Sequence, residues 1–260
     1  MDALNAFLLG LVQGFSEFLP ISSSGHLVIG QEVLGVEEAG VIFEVALHVG
    51  TLLAVLVFYR RRISGLLLGA LERDTAVLAY LAKLAVGTVP AVLAVLFAKD
   101  FLEGLFEMPW VTGLALIATG FVLMTTRRSL PRAALDEPGW AAAWWIGCAQ
   151  AAAIVPGISR SGSTVATALA LGVRSEAAAE FSFLMSVAAI AGAALLSLPE
   201  AGAIDPALRG TILLGVVVAM LSGLVALALF VRFLRTRAFH RFAYYDWIAG
   251  TLFLAWLYFR

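Results

Sequence analysis

Two stretches decide the fold. The first runs Gln13-Gly14-Phe15-Ser16-Glu17-Phe18-Leu19-Pro20-Ile21-Ser22-Ser23-Ser24-Gly25-His26, and the second runs Gln150-Ala151-Ala152-Ala153-Ile154-Val155-Pro156-Gly157-Ile158-Ser159-Arg160-Ser161-Gly162-Ser163-Thr164. At an offset of 137, Gln13 meets Gln150, Ile21 meets Ile158, Ser22 meets Ser159, Ser24 meets Ser161 and Gly25 meets Gly162; only the proline slips, by one position. Two polar, Gly/Pro-broken loops in matching halves of an apolar chain call for one explanation.

The surround is lipid-compatible. Of the 260 residues, 62% are hydrophobic and 13% charged, with a mean hydropathy of +0.97; a soluble domain carries about 25% charged residues. Apolar surface in this excess has no place in water, so the chain is expected to be an all-α polytopic membrane protein. Its partner is then the lipid bilayer, with no nucleic acid; a homodimer is compatible with this. A single cysteine, Cys148, excludes a disulfide framework, and three histidines are too few and scattered for a histidine zinc site. The N-terminus lacks a basic n-region and a small-residue cleavage site, so no removal is expected.

Working outward from the first loop, Ala3–Val12 and Leu27–Val36 are apolar arms of about 10 residues, roughly 15 Å of helix against a hydrocarbon core of about 30 Å. Two half-length arms joined by a polar loop predict a re-entrant hairpin. Three spans should follow, at Val41–Tyr59, Thr75–Ala98 with a kink at Gly87-Thr88-Val89-Pro90, and Trp110–Thr126; an acidic loop holds Asp100, Glu103 and Glu107, and 129–139 reads as a linker. Around the second loop the plan repeats: arms at Trp140–Val155 and Val165–Gly172, then spans at Ala177–Leu198, Thr211–Val231 and Trp247–Phe259. The expected organisation is six transmembrane helices and two re-entrant hairpins, with repeats at residues 1–137 and 138–260 in one membrane domain. Twelve of the 17 Lys and Arg fall in clusters at Arg60, Arg61, Arg62 and Arg73; at Arg127, Arg128 and Arg132; at Arg174; and at Arg232, Arg235, Arg237 and Arg241. The positive-inside rule puts all four on the cytoplasmic side. The halves then enter from opposite faces, an inverted-topology repeat whose loops meet in the bilayer interior. Both termini, the loop around Glu103 and the loop with Glu200 and Asp205 would lie outside.

The loop residues indicate the chemistry. Gln13 and Glu17, four apart, share a helix face. They could be oxygen ligands for a hard cation, or a hydrogen-bonded pair that holds helices together. Ser22, Ser23 and Ser24 supply hydroxyls at a helix start, where serines also serve as N-caps. His26 lies close enough to pair with a hydroxyl and activate a nucleophile. In the second loop, Gly157 and Gly162 allow backbone approach to an anion, Ser159 and Ser161 supply hydroxyls, and Arg160 offers a phosphate-binding fork. A structural arginine paired with Glu17 or Glu180 is the competing reading; the convergence of the loops favours phosphate.

These motifs resemble the bacterial undecaprenyl-pyrophosphate phosphatase family, the integral membrane enzymes associated with bacitracin resistance. The resemblance rests on Gln13 and Glu17, on Ser22-Ser23-Ser24-Gly25-His26 and on Pro156-Gly157-Ile158-Ser159-Arg160-Ser161-Gly162. Phe43-Glu44, Gly87-Thr88-Val89-Pro90 and Phe181-Ser182-Phe183 extend it over nearly the whole chain. It departs at Gln13, where many relatives carry Glu. The resemblance implies removal of the terminal phosphate from a C55 polyprenyl pyrophosphate, giving the carrier-lipid monophosphate for peptidoglycan synthesis. The site would face the outside of the bacterial cytoplasmic membrane and use a divalent cation, Mg2+ or Ca2+. Gln13 and Glu17 would bind the metal–pyrophosphate and Arg160 the transferred phosphoryl group. Ser22, Ser24, Gly25, Gly157, Ser159, Ser161 and Gly162 would line the substrate. Ser23 would be the nucleophile with His26 as base and then acid, or His26 would activate water with Ser23 as a ligand. The alternative from a different class is an inverted-repeat transporter or flippase of a phosphorylated lipid.

Overall fold

The computed structural model describes residues 2–34, 40–196, 206–236 and 238–260. The expectations for the end of the first hairpin at Val36, the end of the span at Leu198, the loop with Glu200 and Asp205, and Arg237 lie outside the described residues. Among those described, the chain is helical, with no strand beyond an isolated bridge between Leu135 and Val173.

Helices α1 (Ala3–Phe18) and α2 (Ser23–Leu34) flank the first loop, and α7 (Trp140–Ala152) and α8 (Arg160–Ala170) flank the second. Both pairs are therefore helix–break–helix units, but the breaks are shorter than the polar stretches. Gln13 and Glu17 lie in the last turns of α1, and the helix stops where Leu19-Pro20 turns the backbone extended. Asp2 caps α1 by accepting from Asn5 N at 2.8 Å, and Ser159 caps α8 by accepting from Gly162 N at 3.1 Å.

The remaining helices are α3 (Gly40–Phe58), α4 (Arg60–Leu71), α5 (Thr75–Phe106), α6 (Pro109–Ser129), α9 (Ser175–Leu196), α10 (Arg209–Arg235) and α11 (Phe242–Phe259). By length and apolarity α5, α6, α9 and α10 can cross a membrane, and the α3–α4 pair, bent by 74°, brings the number to five. Six were expected. α3 ends just before Arg60-Arg61-Arg62, where the first span was expected to end, and is among the five; the sixth, α11, is less apolar because it carries Asp246 with several tyrosines and tryptophans. In α5 the helical dihedrals continue through Pro90 and depart at Ala98 (φ −132°, ψ 24°), so the break lies two turns beyond the expected kink. Asp100 and Glu103, expected in a loop, are helical.

The outward faces are apolar, while the interior combines a hydrophobic core with a set of buried polar side chains. Leu96 and Phe97 on α5 are 69% and 83% exposed, and Leu213 and Leu221 on α10 are 62% and 54% exposed, whereas Gln13, Thr51 and Thr119 are fully buried. With spans of this length and apolarity, the chain is an all-α polytopic membrane protein.

The halves interlock. α1 packs along α10 and α7 along α5, so each half's first arm lies on a long helix of the other half; α6 and α11 pack together. Small residues allow the approach. A Cβ at Gly14 would fall 1.9 Å from Ser222 Oγ, and one at Gly147 would fall 2.3 Å from Gly87 O. The linker is docked: Ala134 N and Leu135 N each donate to Gly172 O at 2.8 Å, and Lys83 Nζ donates to Glu137 at 2.6 Å.

Members of the arginine clusters meet at one end of the bundle among the described residues. Arg62 pairs with Glu180 at 2.8 Å, Arg174 with Asp136 at 2.7 Å, and both Arg174 and Arg235 approach Glu176 at 3.8 Å. Arg127, Arg128 and Arg132 share a cavity with Gly172, two residues before Arg174.

Candidate functional site

The two loops touch through glycine. A Cβ at Gly25 would lie 3.0 Å from Gly157 Cα, and one at Gly157 would lie 2.4 Å from Thr112 O. Gly157 also takes φ +97°, which an L side chain rarely adopts. Thr119 on α6 holds the second loop, its hydroxyl donating to Gly157 O at 2.9 Å and accepting from Ser159 N at 3.0 Å. Ser161 Oγ donates to Leu19 O at 3.2 Å and so crosses to the first loop.

The offset of 137 reappears as matching hydrogen bonds. Ser22 Oγ accepts from Gly25 N at 3.2 Å as Ser159 Oγ accepts from Gly162 N, and the hydroxyls of Ser22 and Ser24 lie 3.4 Å apart against 3.3 Å for Ser159 and Ser161. Ser22 and Ser159 therefore do the capping that serines at a helix start commonly do. Ser22 does so at φ +67°, a left-handed conformation that costs a non-glycine residue about 1–3 kcal/mol and is commonest at functional sites.

Glu17, 6% exposed, is the hub. Its Oε2 accepts from Gln13 Nε2 at 3.0 Å and from Ser23 Oγ at 2.6 Å; its Oε1 accepts from Arg160 Nη2. His48 Nε2 stands 3.7 Å from Oε2. The competing reading of Arg160, as Glu17's partner, is thus met in this state, while Glu180 is taken by Arg62. The pairing leaves two buried atoms without partners: Gln13 Oε1, an acceptor, and Arg160 Nη1, a donor. Leaving a buried polar atom unpaired costs about 1–3 kcal/mol, more for a charged group. A donor for a phosphate oxygen and an oxygen for a cation therefore flank one carboxylate.

His26 is arranged differently from the sequence expectation. Its Nδ1 lies 2.8 Å from Ser22 O, which can only accept, so Nδ1 carries the hydrogen. In the neutral ring Nε2 then accepts from the Tyr245 hydroxyl at 2.7 Å, and the two rings stack at 5.6 Å. Neither ring nitrogen bonds Ser23, whose proton points at Glu17. Ser23, Ser24 and Arg160 are half-buried, and Ser22, Gly25, Gly157, Ser159, Ser161 and Gly162 are buried.

Sequence reasoning passed over His48, Tyr245 and Thr119 as site residues. His48 had a signal, since it shares a helix face with Glu44 in an apolar span. Tyr245 and Thr119 had none, being single residues on distant helices.

A divalent cation fits the donor set. Gln13 Oε1 and the Glu17 carboxylate are hard oxygens, and Mg2+ or Ca2+ commonly completes its shell with phosphate and water. No group of three or more His, Cys, Asp or Glu forms a ready-made cage among the described residues.

Comparison with known proteins places the chain among relatives over nearly its whole length. The family described as bacitracin resistance protein BacA matches residues 6–252. A protein from Syntrophotalea carbinolica named undecaprenyl-diphosphatase is 42% identical over 262 residues, covering 98% of this chain and 99% of its own. Proteins of the same name from Rubrobacter xylanophilus and Desulforapulum autotrophicum are 41% and 36% identical, covering 99% and 97% of this chain and the same shares of their own.

Proposed function

Because the chain belongs to the bacitracin resistance protein BacA family, we propose that it hydrolyses undecaprenyl pyrophosphate to undecaprenyl phosphate and inorganic phosphate. The observation that carries this is the unpaired Arg160 Nη1 beside the unpaired Gln13 Oε1, both buried against Glu17. A metal-bound pyrophosphate uses both, a phosphate oxygen accepting from Arg160 Nη1 and the cation meeting Gln13 Oε1.

In the proposed reaction Arg160 binds the terminal phosphoryl group, helped by the Gly25–Gly157 backbone and the Ser159 and Ser161 hydroxyls. Phosphoryl transfer needs chiefly such positioning and charge stabilisation. Ser23 Oγ attacks the terminal phosphorus, and its proton passes to Glu17, its hydrogen-bond acceptor. The bridging P–O bond breaks, and the polyprenyl monophosphate leaves. Water then attacks the phosphoserine, its proton taken by the neutral His26 Nε2 freed from Tyr245, while Glu17 returns its proton to Ser23 Oγ as the P–Oγ bond breaks and inorganic phosphate leaves. Gln13 Oε1 and the Glu17 carboxylate would hold a divalent cation, which would neutralise charge on the phosphate oxygens.

The test is release of inorganic phosphate from undecaprenyl or farnesyl pyrophosphate by purified protein in detergent. Release with magnesium or calcium and its loss on chelation are expected. No release with either metal would sink the hydrolase reading and leave a carrier of phosphorylated lipid.

We further propose an inverted-topology repeat in the bacterial cytoplasmic membrane, with the site opening outward and the arginine-rich end inside. The 137-residue offset in both hydrogen bonding and helix exchange supports it. Cysteines placed at Glu103 and Arg128 should react and stay silent, respectively, with an impermeant thiol reagent added from outside; the reverse pattern would refute the orientation.

A further inference from the structure

Away from the site, at the arginine-rich end, a cavity of about 580 Å³ opens between the C-terminal turns of α6 and α8. Its floor is apolar, made by Phe121, Met124 and Leu169, and its rim is Arg127, Arg128, Ser129 and Arg132. Phe121 is 62% exposed and stands seven residues before Arg128, roughly 10 Å along the helix.

The three guanidinium groups have no hydrogen-bond or ion-pair partner among the described residues. The nearest acids in the chain are engaged elsewhere: Asp136 holds Arg174 and Glu137 holds Lys83. Arginine at a helix C-terminus often serves the last carbonyls, but at α8 these are largely met by backbone donors. Gly172 N reaches Leu169 O at 3.1 Å, Val173 N reaches Ala168 O at 3.0 Å, and the linker supplies two donors to Gly172 O. The rim also contains a buried hydroxyl without a partner, Ser129 Oγ. Three uncompensated positive charges and a free hydroxyl thus surmount an apolar slot on the side of a membrane protein.

We propose that this cavity binds an anionic glycerophospholipid of the bilayer. Its phosphate takes the Arg127, Arg128 and Arg132 guanidinium groups and the Ser129 hydroxyl, and an acyl chain lies along Phe121 and Met124. A free phosphate would satisfy the rim and leave the apolar floor unused; a zwitterionic lipid would bring an ammonium group to a cationic rim. Basic pockets beside transmembrane helices recognise anionic headgroups on these grounds. The inference rests on the membrane architecture and not on the phosphatase reading.

The experiment is native mass spectrometry of purified protein titrated with phosphatidylglycerol or phosphatidylcholine. Wild type should retain phosphatidylglycerol about tenfold more strongly, and excess inorganic phosphate should not displace it. The triple variant Arg127→Gln, Arg128→Gln, Arg132→Gln should fall to the phosphatidylcholine level, while the corresponding triple Lys variant keeps most of the preference. Should the triple Gln variant not fold, Arg132→Gln alone is read the same way, with an expected loss of about fivefold. Phosphate release from farnesyl pyrophosphate in detergent should be unchanged in any folded variant, so failure here is separable from failure of the proposed function. Equal retention of the two lipids by wild type, undiminished binding in the Gln variants, or displacement by inorganic phosphate would each overturn the proposal.

Discussion

Arg160→Ala is expected to lower phosphate release by about a thousandfold or more, with Arg160→Lys recovering little of it. The reason is geometric. Nη2 is committed to Glu17 Oε1 while Nη1 is buried with no partner, so one planar group serves carboxylate and phosphate together. A lysine ammonium has no such fork. The substitution also strips Glu17 of its cation, and breaking a partly buried ion pair costs up to about 3 kcal/mol, read as a lower unfolding temperature in detergent. The double variant Glu17→Gln, Arg160→Gln separates the effects: it should regain much of that stability and none of the activity. Near-normal turnover in Arg160→Ala would remove the residue from the site.

Ser23→Ala and Glu17→Gln should each lower turnover by about a thousandfold, and the pair together should be scarcely worse than either alone. Residues that act as one unit lose their joint contribution when any member is removed. Ser23 Oγ donates to Glu17 at 2.6 Å, while both His26 nitrogens are occupied by Ser22 O and Tyr245. His26→Ala should therefore slow the reaction through hydrolysis of the phosphoserine, so that brief incubation with radiolabelled pyrophosphate substrate leaves label on the protein. Label on Ser23 in that variant supports the covalent path. Multiplicative losses in Ser23→Ala, Glu17→Gln, or a Ser23→Ala enzyme within about tenfold of wild type, would return the chemistry to attack by water.

What was legible in the chain followed the range of the interactions. Loop pairing could be read because Ser22/Ser159 and Gly25/Gly162 repeat at a single offset, and their capping bonds reach only three residues. The Gln13–Glu17 bond was visible as an i,i+4 pair. Contacts between distant helices carried no such mark. Tyr245 reaches His26 across 219 residues, and nothing local to Phe242–Phe259 distinguishes it from an interfacial tyrosine. Local propensity at Pro90 also left Ala98 unmarked: the helix continues through the proline where it packs against α7, and the dihedrals depart from helical only at Ala98. His26 was assigned to Ser23 by nearness in sequence, whereas side-chain direction on α2 sends its ring to α11.

The exchange of arms between the halves bears on how this molecule can move. A rocking carrier needs two bodies that swing as units about a fixed site. Here α1 is seated on α10 with no room for a methyl group between Gly14 and Ser222, and α7 is seated on α5 with equally little at Gly147 and Gly87. Swinging one half would drag the other's floor with it, and the docked linker clamps the seam at Lys83 and Gly172. The architecture is a mortise joint rather than a hinge: close packing at both seats opposes independent movement of the halves and keeps the two loops in contact.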